Sequence, residues 1–306
     1  MARSQGGIYA EPNLHGITLL LNVMTDDTAV IRRKLARLPS ILSGLDERFS
    51  EANLNGYVAI GADYWDVLYS HRRPLQLSSF PDLRDGDRQA QRQPVDLLVS
   101  VRADRFDVCF QAARTMQEWL GHDVELLEQM TNFRFMDGRD LLGFIDAPDN
   151  PRGMQRRQVA LVKTDDDPYF AGGSYLYVQK FRHDLRRWEH LSTEIQEHVM
   201  GRKKLTGERI SEALLSMVTH TQKARLVRDD EQPLQLLRQN MPWGDLREQG
   251  LLAMYLSAAP ADIIYWLKQR YIADAQGDYD PLLDYTDAVS NAVYFVPTVD
   301  FLEANR

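Results

Sequence analysis

Hydrophobic and polar positions fall in short blocks along this chain, and the period changes from block to block. Residues 16–23 (GITLLLNV) form a nearly unbroken apolar run of strand length. From about Asp27 to Phe49, Ile31, Leu35, Leu38 and Leu42 recur at spacings of three and four, which predicts a helix with one buried stripe. NGYVAIGADYW (55–65) opens as a strand, and DLLVSVRA (96–103) reads as another. Between them, residues 72–94 are polar and rich in turn formers, which predicts an exposed connection. A helix from Asp104 to Leu120 places Phe106, Cys109, Ala113, Met116 and Leu120 on one face, and 124–136 supplies a further strand.

The order β-α-β-β-α-β is that of a ferredoxin-like module. The second half carries weaker signals in a similar order. GGSYLYVQKFRHDL (172–185) is strand-like, Arg186 to Met200 is helical, and LQLLRQNM (234–241) and GLLAMYLSA (250–258) read as strands. PADIIYWLKQRYI (260–272) is an amphipathic helix with Pro260 at its first position, and FVPTVDFL (295–302) closes the chain. The expected fold class is therefore α+β, two ferredoxin-like modules packed together, residues 1–150 and 151–306. The two halves share element order and no visible sequence repeat.

Charge and composition narrow the function. The net charge of −8 disfavours a nucleic-acid partner. The start, MARSQGGIYAEPNLHG, lacks the apolar core of a secretory signal, and no run is long enough to span a membrane, so a cytoplasmic location is expected. The single cysteine, Cys109, excludes an intramolecular disulfide and a cysteine-rich metal site. Phosphate-cradling and dinucleotide glycine motifs, the helical zinc-protease motif and the serine nucleophile elbow are all absent. No two of the seven histidines stand four apart, so a multi-histidine metal site is not indicated. A site needing one histidine remains open, and a haem iron is such a site.

Three segments stand out. In LLGFIDAPDNPRG (141–153) an apolar run stops at Asp146, and Pro148 and Pro151 stiffen the loop that follows. In MVTHTQKARLV (217–227) His220 precedes what reads as a short strand. In LQLLRQNMPWG (234–244) Arg238 and Asn240 share one face of an extended chain. Taken alone, Asp146 reads as a turn residue and His220 as an ordinary core or surface histidine. Arg238 lies among Leu236, Leu237 and Met241, where a guanidinium without a partner would be costly.

Together these residues resemble the haem-dependent dye-decolourising peroxidases of the bacterial B type. The likeness runs through GYVAIGADYWD (56–66), FRFMDGRDLLGFID (133–146), FAGGSYLYVQK (170–180), VMGRKKL (199–205), LLRQNMPWG (236–244) and the terminal FVPTVDFL. The family signature Gly-x-x-Asp-Gly stands here as Gly143-Phe144-Ile145-Asp146 followed by Ala147, and Thr219 takes the place of the serine common before the proximal histidine. The resemblance implies haem b held in the C-terminal half, with His220 on the iron and Asp280 hydrogen-bonded to that histidine. It implies Ile145, Asp146, Ala147, Asn150, Gly173, Arg202 and Arg238 around the cofactor, and Asp146, Arg238 and Asn240 as catalytic groups. Hydrogen peroxide and small organic electron donors, phenols or dyes, are the implied partners, turned over through an oxoferryl intermediate. Trp243, beside the pocket strand, is the expected outward electron relay. A homo-oligomer is expected both from the family and from the exposed sheet edges of ferredoxin-like modules. A different class, a haem-binding protein for storage, delivery or sensing, is the alternative. If the family's glycine has a positive φ, Ala147 implies an altered loop.

Overall fold

The apolar runs pair into one antiparallel sheet that closes on itself. The computed structural model describes residues 2–228 and 230–306. In the first half β1 (His15–Val23) leads into helix α1 (Thr28–Arg48), then β2 (Asn55–Gly61), the short helix α2 (Trp65–Leu68), the small hairpin β3 (Leu83–Asp85) and β4 (Arg88–Ala90), β5 (Leu97–Ala103), α3 (Phe106–Leu120) and β6 (Val124–Phe133). In the second half come α4 (Met154–Ala160), β7 (Ser174–His183), α5 (Leu185–Glu189), α6 (Thr193–Met200), α7 (His220–Lys223), β8 (Leu237–Arg238), β9 (Met241–Gly244), β10 (Gln249–Ser257), α8 (Pro260–Tyr271), β11 (Thr286–Val296) and α9 (Val299–Ala304).

Strands β2-β5-β1-β6 and β11-β7-β10-β9 each have the spatial order of a ferredoxin-like sheet. Their edges then meet. Strand β11 pairs with β2 through Phe295 opposite Ile60, and β6 pairs with β9 through Asn132 opposite Trp243. With β7 also paired to β10, the eight strands form a closed barrel, and β8 adds to β10. The edges expected to be exposed therefore pair with each other. Closure within the chain removes the sheet-edge argument for self-association.

Closure also explains why the strands read as continuous apolar runs: both faces are buried. Leu20, Leu98, Leu176, Met254 and Tyr294 belong to one packed cluster, while their neighbours Leu19, Leu21, Val99, Tyr175, Tyr177, Tyr255 and Phe295 belong to another. The strand period of two sends the first set into the barrel and the second outward under the helices. Helix α1 is capped by Asp27, whose side chain accepts from the amides of Ala29 and Val30, and it packs Ile31, Leu35 and Leu38 against the outer face.

Several expectations are corrected here. Residues 72–94 are more than an exposed connection, because Leu77, Phe80, Leu83 and Ala90 bury into the outer core. Phe106 is 43% exposed although the rest of its helix face is buried. The helical signal over 186–200 divides into α5 and α6, each started by its own cap, Asp184 and Ser192. Residues 234–241 supply only the two-residue β8 and the start of β9, and 295–302 is the end of β11 followed by α9. Among the described residues no strand directly follows His220. That histidine opens the single-turn helix α7, capped reciprocally by Thr219 and Gln222.

Candidate active site

The histidine is fixed first. The Thr219 hydroxyl accepts from the Gln222 amide, the Gln222 side chain accepts from the Thr219 amide, and this box orients His220 at the first helical position. His220 Nδ1 lies 2.9 Å from one oxygen of Asp280 and 3.1 Å from the other. Arg270 Nε donates to Asp280 at 2.7 Å, and the Leu282 amide donates at 3.0 Å. Asp280 is fully buried. Burial alone would raise its pKa, but the charges of His220 and Arg270 outweigh that and hold it at about 2. An ionised Asp280 holds a proton on Nδ1 in either charge state of the ring, so when the imidazole is neutral it is Nε2 that offers its lone pair. The stability this carboxylate contributes is present above the unfolded aspartate pKa of about 3.9 and is lost as pH falls toward 2.

The second group comes from the loop after β6. The Asp140 carboxylate accepts from the amides of Leu142 and Phe144, folding the apolar run back so that it ends at Asp146. Asn240 Nδ2 donates to Asp146 Oδ1 at 3.0 Å. Burial pushes the Asp146 pKa up, against the opposing pull of Asn240, Arg238 and His220. The Arg238 backbone is clasped from both sides by Asn150, whose amide donates to the Arg238 carbonyl at 2.8 Å and whose oxygen accepts from the Arg238 amide at 2.9 Å. Arg238 Nε is buried and has no protein partner.

These groups line one cleft. His220, Ile145, Asp146, Ala147, Arg202, Arg238 and Asn240 all border it, together with apolar Phe144, Phe181, Met200, Leu251 and Leu282. Asp280 stands directly behind His220. Asn150 does not border this cleft and acts on it by holding Arg238. Gly173 is elsewhere: a Cβ there would sit 2.5 Å from the Phe295 ring. It precedes β7, whose other end reaches the cleft at Phe181 and His183, a strand length of roughly 30 Å away at about 3.3 Å per residue. Close packing against β11 accounts for that glycine.

The cleft contains residues the sequence reading missed. His183 borders it, with Nδ1 2.8 Å from the Thr286 hydroxyl and Nε2 buried without a partner. Burial lowers its pKa to about 4, so it is neutral. Asp140 borders it too, and burial followed by the charge of Asp146 pushes its pKa up to about 7. Tyr255 and Trp266, with ring centroids 5.0 Å apart, form part of the wall. Local sequence gives no signal for His183, whose partner is 103 residues away. Asp140 stands in plain view inside the quoted GRDLLGFID run. Trp243 is not on this cleft. Its ring lies 4.1 Å from the Lys180 ammonium, which is itself paired with Glu128.

Ala147 has φ +44°, in the left-handed region. The condition for an altered loop is thus met: alanine occupies a conformation that suits glycine. The strain is about 1–2 kcal/mol, partly offset by alanine's smaller unfolded-state entropy. Ala147→Gly should therefore raise stability by roughly 0.5–1 kcal/mol. Denaturant melts of the two proteins check this, and a less stable glycine variant would contradict it.

The donor set suits a flat, anionic, metal-bearing group: one free imidazole nitrogen, apolar walls, Arg202 at the rim and an orphan guanidinium. Family comparisons agree. The Dyp-type peroxidase N-terminal model matches residues 5–134 and the C-terminal model matches 137–301. The chain belongs to the Dyp-type peroxidase family. The dye-decolorizing peroxidase of Rhodococcus erythropolis is 34% identical over 289 residues, 94% of this chain and 84% of that protein. A dyp-type peroxidase protein of Shewanella oneidensis superposes with a TM-score of 0.96 at 36% identity, covering 99% of both chains. A Rhodococcus jostii DypB variant solved in complex with heme superposes with a TM-score of 0.92 at 32% identity, again over 99% of both chains. The expected family and the α+β, ferredoxin-like architecture are both borne out.

Proposed function

We propose that this Dyp-type peroxidase binds haem in the cleft between His220 and Arg238 and uses it to reduce hydrogen peroxide at the expense of organic donors. The observation that carries the reading is the pairing in one cleft of a carboxylate-backed imidazole with an Asp146–Asn240–Arg238 group whose guanidinium Nε has no protein partner. Haem, when bound, supplies the redox iron at which peroxide is cleaved and electrons are taken up. His220 Nε2 would hold the iron, and the charge of Asp280 would strengthen it as a donor. Asp146 would serve as the base that takes a proton from bound peroxide and returns it to the departing oxygen. Asn240 holds Asp146 Oδ1 in place for this. Arg238 stabilises the negative charge that grows as the O–O bond breaks. Arg202, bonded to the exposed Asp149 at 2.6 Å, is placed to exchange that partner for a carboxylate of the cofactor. The family likeness favours turnover over mere haem storage.

In this reading the modules divide into residues 1–150 and 151–306, so that the Asp146 loop is the first module's contribution to a cleft otherwise built by the second. Among the described residues no helix is long and apolar enough to cross a membrane.

Two outcomes test the proposal. Because burial raises the Asp146 pKa, the ionised base is lost as pH falls through a value above the usual 3.9 of aspartate. The rate of reaction with peroxide should therefore fall on an acid limb lying above that value, and Asp146→Asn should remove the limb. A wild-type rate flat down to pH 4 would contradict it. Self-association is the second outcome, now resting on family likeness and on the exposed apolar side chains Leu205, Leu214 and Met217 along one segment. Light scattering should give at least twice the chain mass of 35.3 kDa, and a monomer mass at micromolar concentration would refute it.

A further inference from the structure

A second cavity lies on the other side of the Asp146 loop and shares Asp146, Arg238 and Asn240 with the first cleft. Its charge is unlike that of the acidic chain around it. Arg102, Arg134, Arg139, Arg152, Arg156 and Arg238 border it, against three carboxylates, Glu11, Asp137 and Asp146. Asp137 is taken by Arg139 at 2.8 Å, and Asp146 is shared with Asn240 and Arg238.

Two of these arginines are nearly inaccessible. Arg102 is 4% exposed and Arg156 3%. Arg102 follows Leu98 and Ser100 on the inward face of β5, so its guanidinium lies at the end of the barrel interior. It donates to the Gln239 carbonyl at 3.1 Å and belongs to no ion pair among the described residues. Arg156 donates to the carbonyls of Tyr9 and Ala10, and its nearest carboxylate, Glu11, is 3.7 Å away and largely exposed. Arg102 also meets the neutral Tyr57 hydroxyl, and the exposed Glu11 offsets the Arg156 charge only weakly at 3.7 Å, so most of the positive charge is left facing the cavity. The two guanidinia also repel each other, and burial with that repulsion lowers the Arg102 pKa. Retaining two such charges at a cavity wall is costly unless an anion visits it. The remaining wall is apolar, with Phe133, Phe135, Ile145 and Pro242.

We propose that this second cavity is a binding site for a small organic carboxylate, whose anionic head is held by Arg102 and Arg156 and whose apolar body lies against Phe133 and Pro242. His220 borders only the first cleft, so an occupant of the second cavity would leave that histidine free while sharing a wall with Asp146.

The test is calorimetric titration of the haem-loaded protein, without peroxide, at pH 7 and low salt, using benzoate and its neutral isostere benzamide. Benzoate should saturate at one per chain and benzamide should bind at least tenfold more weakly. Binding should survive saturation of the iron with cyanide. Arg102→Gln should weaken benzoate about 10- to 100-fold, as expected for loss of a charge-assisted hydrogen bond. Arg152→Gln, at an exposed position with little risk to folding, should weaken it about threefold through the field at the mouth. No benzoate binding, equal binding of benzamide, loss of binding with cyanide, or no weakening in Arg152→Gln together with a folded Arg102→Gln would each overturn the proposal.

Discussion

Replacing His220 by alanine is expected to abolish histidine-ligated haem in this protein. The expectation rests on a chain of contacts. Thr219 and Gln222 cap the turn, Asp280 holds Nδ1 at 2.9 Å, and Arg270 fixes Asp280 at 2.7 Å. The only other histidine on the cleft among the described residues is His183, which is neutral, buried and bonded to Thr286. Its unpartnered Nε2 makes it a candidate substitute, so the comparison needs both variants. His220→Ala should lose the Soret and ferric resonance signals of an imidazole-ligated iron, while His183→Ala should keep them. An unchanged spectrum in His220→Ala, or its loss in His183→Ala alone, would reverse the assignment. Asp280→Asn should retain haem but weaken the ligand's donation, because a neutral amide no longer stabilises positive charge on the imidazole.

The second large effect concerns Arg238. Arg238→Leu should slow the reaction with peroxide more than Asp146→Asn does. Removing a preorganised charge donor costs about 10²–10³ in rate, and removing a general base costs about 10²–10⁴. The ranges overlap, so the structure must decide. Arg238 is clasped through its backbone by Asn150 and its Nε has no hydrogen-bond partner, so that donor is free for the reacting oxygens. Asp146 sits beside Ala147, which is strained at φ +44°, and its burial already disfavours the ionised form. A water can take over part of a base's role, and nothing small replaces a fixed cation. Stopped-flow rates of peroxide-driven Soret change, in variants checked for full haem content, measure the order. A slower Asp146→Asn would show that the loop carries the larger share.

Much of this was legible in the sequence because it is local. The apolar runs that read as buried strands are buried on both faces, and the helix over Asp27–Phe49 begins at the Asp27 cap. Asp146, His220, Arg238 and Asn240 stood out through short motifs, and the structure brings all four to one cleft. Asp280 was readable only through family likeness, since its partner is 60 residues away. What stayed hidden depends on contacts between distant segments. Barrel closure rests on two short pairings, Phe295 with Ile60 and Asn132 with Trp243, which no periodicity announces. His183 reaches the cleft through a strand end and a threonine on β11. Gly173 shares a motif with the family yet serves close packing. The strand expected over 234–241 breaks because Gln239 turns inward, where its amide donates to the carbonyls of Gly7 and Ile8.

The central claim, peroxide turnover at haem held by this cleft, is tested most directly by mixing the purified haem-loaded protein with one equivalent of hydrogen peroxide and following the Soret band by stopped flow. The account predicts a rapid loss of the ferric band, and its recovery when a phenol is added. A Soret band that stays unchanged over seconds, in protein with full haem content, would contradict it and leave a haem carrier in its place.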